Sequence, residues 1–154
     1  MKIVIINYGA GNIQSIMFAI ERLGYKAVLS NNPDEIKTAD KVIFPGVGEA
    51  SYAMKMLQES GLDILLPTLK QPVIGICLGM QLMCNHSEEG DTKGLGIFDV
   101  DVVKFTSKVK VPQMGWNTIY NLKSDLFEGI AENEYMYLVH SFYAPLCTET
   151  IATT

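Results

Sequence analysis

The segment KIVIIN (2–7) is apolar at every position from Ile3 to Ile6 and runs directly into the glycine turn YGAGN. A strand that alternates apolar and polar residues can leave one face in water, but an uninterrupted β-branched run needs cover on both faces. Such cover comes from helices above and below a parallel sheet, whose strands are joined by crossover connections. The next residues supply one: Ile13, Ile16, Met17, Ile20 and Leu23 share a helical face, Asn12 stands at the N-cap position, and Gly24 closes the helix.

The pattern recurs. KAVLS (26–30), DKVIF (40–44) and PVIGI (72–76) read as further strands, with a helix over about 49–59 ended by Gly61 and a shorter one before Pro67. In the last strand Val73, Ile74 and Ile76 are expected to be packed. These βα units predict a three-layer, flavodoxin-like α/β fold with a mostly parallel sheet, whose site lies at the carboxyl ends of the strands. After Gly94 the texture changes: IFDVDVVKF alternates as a half-solvated strand does, and YMYLVHSFYA reads as a long strand or hairpin arm. A chain of 154 residues fits one domain with its own core.

The bulk chemistry excludes several classes. A net charge of −5 without a Lys/Arg cluster argues against a nucleic-acid or anionic-membrane surface. The apolar run at the N-terminus is too short for a signal peptide core or a membrane span. Three cysteines, an odd number without metal-ligand spacing, point to a reducing cytoplasm and to no metal site. Nothing calls for a cofactor. YGAGN begins like a dinucleotide fingerprint, but Gln14 occupies the third glycine position and Asn31 and Asn32 stand where an acidic ribose ligand is expected.

The most informative stretch is GICLGMQ (75–81), in which Cys77 stands between Gly75 and Gly79 at the junction of a strand and a helix. Strand, sharp turn and helix form the setting of a nucleophile elbow, where neighbouring side chains must be nearly absent. The amide of Leu78 is then aimed at a developing oxyanion, and a second donor is expected from the glycine loop PGVG (45–48), at Val47 or Gly48. A free thiol of pKa about 8.5 is only roughly 3% thiolate at pH 7. A helix N-terminus contributing about 1 kcal/mol raises that to roughly one-seventh, so fast acyl transfer still needs a base. The alternative for Cys77 is a buried structural cysteine, the role expected of Cys84 and Cys147, which lack glycine flanks.

GICLGMQ resembles the nucleophile motif of the class I, triad-type glutamine amidotransferases. INYGAGN, FPGVGEA, KVPQMGWN and YLVHSFY extend the resemblance, in order, from residue 3 to about 153, and bring it closest to members that work as one subunit of a heterodimer. The resemblance implies that Cys77 forms a glutamyl thioester with the substrate glutamine and that Gln81 contacts that glutamine. It also implies that His140, Ser141 and Phe142 hold its amino-acid end through main-chain groups, and that the ammonia passes to a (β/α)8 cyclase subunit. Family members usually carry His where this chain has Gln113, a departure that touches a local contact. The family's catalytic His and Glu lie in an HPE motif near the C-terminus, and no His-x-Glu occurs among these residues. Residues 1–154 are therefore expected to be one amidotransferase domain, incomplete at its C-terminus and inactive alone. A paralogue serving another synthase, or a non-catalytic partner-binding module, are the readings that compete.

Three further residues have two readings each. His86, nine residues beyond Cys77, is expected at the far end of the elbow helix, solvated. His140 lies in an apolar strand and is followed by Ser-Phe rather than a carboxylate, so it suits a pocket wall better than a base. Trp116, the only tryptophan, is either a core aromatic or an exposed anchor for the partner. The eight methionines are expected to fill the core.

Overall fold

The computed structural model describes residues 1–154. Its first half is a βα series: β1 (Ile3–Ile6), α1 (Ile13–Arg22), β2 (Ala27–Ser30), α2 (Pro33–Lys37), β3 (Lys41–Phe44), α3 (Ala50–Glu59), α4 (Leu62–Leu65), a single 3₁₀ turn at Leu66–Thr68, β4 (Val73–Gly75) and α5 (Leu78–Leu82). The four strands form a parallel sheet in the order β2-β1-β3-β4.

The unbroken apolar run of β1 is explained by its neighbours. Val4 and Ile6 point into the larger core, with Val42 and Phe44 of β3, Ile36 of α2, and Ala53, Met54 and Leu57 of α3. Ile3 and Ile5 point the other way, against Ile20, Ile13, Ile16 and Met17 of α1. Helices thus cover both faces and give three layers. Asn12 caps α1 by accepting from the Ser15 amide at 3.4 Å. Leu23, expected on the buried face, is instead 74% exposed: it follows the last helical residue, where the chain is already turning through Gly24 at φ +82°. Helix α2 escaped the sequence reading because it is five residues long, too short for a periodic face to register; Pro33 at its start and Asn32, which accepts from the Asp34 and Glu35 amides, mark it.

The expectation of tight packing along the last strand is corrected. Val73 packs against the larger core, but Ile74 and Ile76 are each 38% exposed. β4 is an edge strand, and α1 covers the sheet face chiefly over β1.

The second half is built differently. β5 (Cys84–Ser87), β6 (Thr92–Lys93), β7 (Phe98–Lys104) and β10 (Phe142–Tyr143) form a mixed sheet in the order β10-β7-β5-β6. β8 (Gln113–Thr118) and β9 (Tyr135–His140) form a separate antiparallel arm, in which Trp116 faces Tyr137 and Gln113 faces His140. The methionines divide accordingly: Met54 and Met83 are core residues, whereas Met114 and Met136 lie exposed on the arm. No helix is long and apolar enough to cross a membrane.

Candidate active site

Cys77 lies between β4 and α5 with φ 54° and ψ −117°, a left-handed conformation that a residue carrying a side chain adopts only where its surroundings impose it. The surroundings are backbone. A Cβ on Gly75 would lie 2.6 Å from the Met80 Cα and 2.7 Å from its nitrogen. A Cβ on Gly79 would collide with the Phe44 carbonyl, at the end of β3. Both glycines are therefore needed for close approach rather than for positive φ. The turn is held by Ile76 N–H donating to Phe44 O at 3.0 Å, and by Gly79 and Met80 N–H donating to Ile76 O and Cys77 O, each at 3.0 Å. Cys77 is exposed, unlike Cys84.

The loop 45–48 abuts this elbow. A Cβ on Gly46 would meet the Gly79 nitrogen and lie 2.9 Å from Leu78 C. Gly48 has φ +97° with open space about it, and Val47 is an exposed residue. None of the backbone hydrogen bonds of loops, turns and caps uses the amide of Val47, Gly48 or Leu78. Three unengaged N–H groups thus belong to the two segments that meet beside an exposed thiol, the arrangement that suits a developing oxyanion.

The second half of the chain meets the elbow helix at Gln81. Gln81, buried in α5, donates its Nε2 to the Phe142 carbonyl at 3.2 Å, and His140 Nδ1 donates to the same oxygen at 2.8 Å. Phe105 donates its N–H to Ser141 O at 3.1 Å, stacks on Tyr143 with ring centroids 4.7 Å apart, and meets the His140 ring edge-on at 5.0 Å. Tertiary structure therefore joins Gln81 of the elbow helix to the segment His140, Ser141 and Phe142. The Phe142 carbonyl is already occupied by two donors of the chain itself.

His86 is not at the end of the elbow helix. That helix stops at Leu82, and His86 sits in β5 with Nε2 2.9 Å from Asp91 Oδ1. A five-residue helix cannot carry position 86. Cys84 is buried, and burial pushes its thiol up to about 11, with the charges of Cys147 and Asp101 adding to the shift. Trp116 is 67% exposed, on the arm rather than in the core.

Two groups of the site region escaped the sequence reading. Glu89, in the β5–β6 turn, accepts from the Ala50 amide at 3.0 Å, at the start of α3. Its carboxyl is raised, chiefly by burial; the Ala50 hydrogen bond works against the shift and the charge of Glu49 adds to it. Tyr8, in the β1–α1 loop, is buried and reaches the 45–48 loop with its hydroxyl. The pairing of turn residues so distant in sequence leaves no local pattern.

This fold and elbow define a class, and comparison with known proteins agrees. The sequence model of the family "Glutamine amidotransferase class-I" matches residues 4–153, and the chain belongs to that family. A solved structure described as a glutamine amidotransferase superposes with a TM-score of 0.76 at 16% identity, covering 98% of this chain and 79% of the other. Within the family, the imidazole glycerol phosphate synthase subunit HisH of Bacteroides thetaiotaomicron is 55% identical over 157 aligned positions, which take in 100% of this chain and 80% of the relative. The HisH 1 protein of Vibrio vulnificus is 45% identical, over 98% of this chain and 78% of that protein. The chain belongs to the HisH group of glutamine amidotransferases.

Proposed function

We propose that the chain acts as the glutaminase subunit of an imidazole glycerol phosphate synthase in histidine biosynthesis, with Cys77 as its nucleophile. The observation that carries this reading is the left-handed Cys77 on its glycine-flanked turn, beside amides that no loop, turn or cap bond engages. The Cys77 thiolate adds to the side-chain carbonyl carbon of glutamine, and the carbonyl oxygen takes the negative charge. The amides of Leu78 and of Val47 or Gly48 receive that charge. Collapse breaks the carbon–nitrogen bond, and the nitrogen leaves as ammonia after gaining a proton. Water then cleaves the glutamyl thioester, which releases glutamate and restores the thiol.

Gln81 and the segment His140, Ser141 and Phe142 form the glutamine side of the pocket. Because the Phe142 carbonyl is engaged by Gln81 and His140, other main-chain groups of the segment face the substrate. His140 is not assigned as the base: its Nδ1 faces the Phe142 carbonyl, a weaker partner for an imidazolium than the carboxylate of a triad.

Ammonia passes to a (β/α)8 cyclase subunit in a cytoplasmic heterodimer. The arm supports docking: Trp116, Met114, Tyr135, Tyr137 and Val139 are exposed there together, with Trp116 and Tyr137 in edge-on contact at 5.5 Å. Patches of this kind mark binding surfaces. The reading is tested by ammonia release from glutamine by the full-length protein with its partner. Cys77→Ala is expected to abolish it, and turnover that survives the substitution rejects the assignment.

A further inference from the structure

The loop that carries the Val47 and Gly48 amides must hold them still relative to Cys77, and the chain has a brace for one end of it. Tyr8 is 3% exposed and follows β1, on the strand's carboxyl side. Its hydroxyl donates to the Pro45 carbonyl at 2.7 Å, and its ring meets Phe44 at 5.5 Å with the planes tilted 54°. The same loop packs on Pro45 a second time: a Cβ on Gly11, at φ +120°, would sit 2.8 Å from the Pro45 Cβ. Pro45 is thus gripped by Tyr8 and Gly11, and Gly46 is seated on the Leu78–Gly79 backbone. Val47 and Gly48 receive no such grip. Their amides are flanked by Pro45 and Gly46 on one side and by the capped start of α3 on the other.

The geometry points to Tyr8 as a positioning residue for the glutaminase reaction, one that acts by tethering the Pro45 carbonyl and so aiming the following amides. The inference rests on the Cys77 reading above. Burial, and after it the negative charge of a Cys77 thiolate, hold the Tyr8 hydroxyl well above the usual tyrosine range, so it stays a protonated donor throughout turnover. A tether of this kind leaves substrate binding alone and matters when charge develops. Its loss should therefore lower kcat and spare KM. Displacing oxyanion donors costs less than deleting one, which is worth about 10²–10³-fold, so a loss of about tenfold is expected.

The test compares Tyr8→Phe, and p-fluorophenylalanine at position 8, with 3-fluorotyrosine at the same position, in the full-length protein assembled with its partner subunit. The first two lack the donor, and p-fluorophenylalanine keeps the volume of the missing hydroxyl. 3-Fluorotyrosine keeps the donor. The proposal expects kcat for ammonia release to fall about tenfold in both donor-less proteins, with KM within about twofold, and to return to within about twofold of the parent with 3-fluorotyrosine. It is overturned by a kcat within twofold in Tyr8→Phe, by a change confined to KM, by failure of 3-fluorotyrosine to restore the rate, or by both donor-less proteins failing to fold. A Cys77→Ala control separates the two levels. Turnover surviving in it removes the thiol reading on which this one rests. Loss there with normal Tyr8→Phe turnover removes only the role of Tyr8.

Discussion

Gly79 presses its Cα against the carbonyl of Phe44, so that the strand before the glycine loop and the helix after Cys77 meet backbone to backbone. No side chain fits between them. Gly75 makes the matching approach to the backbone of Met80 on the other side of the thiol. The two glycines flanking Cys77 thus seat the start of a helix on the ends of two strands, and that seat forces the thiol out of the chain's regular path.

This contact predicts a stability effect larger than an ordinary glycine substitution. Gly79→Ala is expected to cost at least about 3 kcal/mol, because the obstacle is a backbone oxygen that cannot rotate away. Gly61→Ala is the comparison: its φ of +68° is unfavourable for alanine, but nothing lies within 4 Å, so about 1–2 kcal/mol is expected. Urea unfolding of both variants measures the difference, and equal costs contradict the steric account.

Thiol reactivity should separate the three cysteines. Cys77 is exposed, whereas Cys84 is buried with its thiol pushed up to about 11. At pH 7.5 Cys84 is then thiolate in roughly one molecule in three thousand. A glutamine-like electrophile is expected to modify Cys77 alone, as mapped by peptide mass spectrometry. An adduct at Cys84 or Cys147, with Cys77 unmodified, removes the nucleophile assignment.

Trp116 offers a test of docking that is separate from catalysis. With 67% of its surface exposed, its removal should leave the isolated subunit folded, its melting temperature shifted by no more than a couple of degrees. Trp116→Ala is expected to weaken binding of the partner subunit by at least about 2 kcal/mol, a typical hot-spot loss. Titration calorimetry decides, and unchanged affinity moves the docking face elsewhere.

The two glutamates at the start of α3 should respond to pH in opposite directions. Glu49 accepts hydrogen bonds from the Ser51 hydroxyl and from the Tyr52 and Ser51 amides, which hold its carboxyl below the usual range. Its stabilisation is present above the unfolded-state value of about 4.3 and is lost as pH falls through the lowered folded value. Glu89 is raised, so its contribution is complete below about 4.3 and is lost as pH rises through the folded value. Glu49→Gln is therefore expected to destabilise at pH 7 and to be neutral at low pH. Glu89→Gln keeps an acceptor for the Ala50 amide and is expected to stabilise at pH 7, with the gain gone near pH 3. Denaturant midpoints at the two pH values check both signs.

Much of this architecture is legible along the chain because it depends on neighbours in sequence. The β1 run, the α1 face from Ile13 to Ile20, the Asn12 cap and the glycines about Cys77 each state a local requirement: cover for two faces, a cap for free amides, room for a tight turn. Those requirements determine a parallel α/β sheet with a strained thiol at its carboxyl edge. What the sequence alone did not decide is which distant groups share a surface. Gln81 meets Phe142 across 61 residues, Tyr8 meets Pro45 across 37, and Glu89 meets Ala50 across 39. Packing geometry also overruled periodicity at Leu23, left mostly exposed, at Ile74 and Ile76, which are only partly covered, and at His86, where a short helix gave way to a strand. Local propensity and patterning act through the backbone of a few residues; contacts between loops depend on how whole layers stack, which only the folded molecule sets.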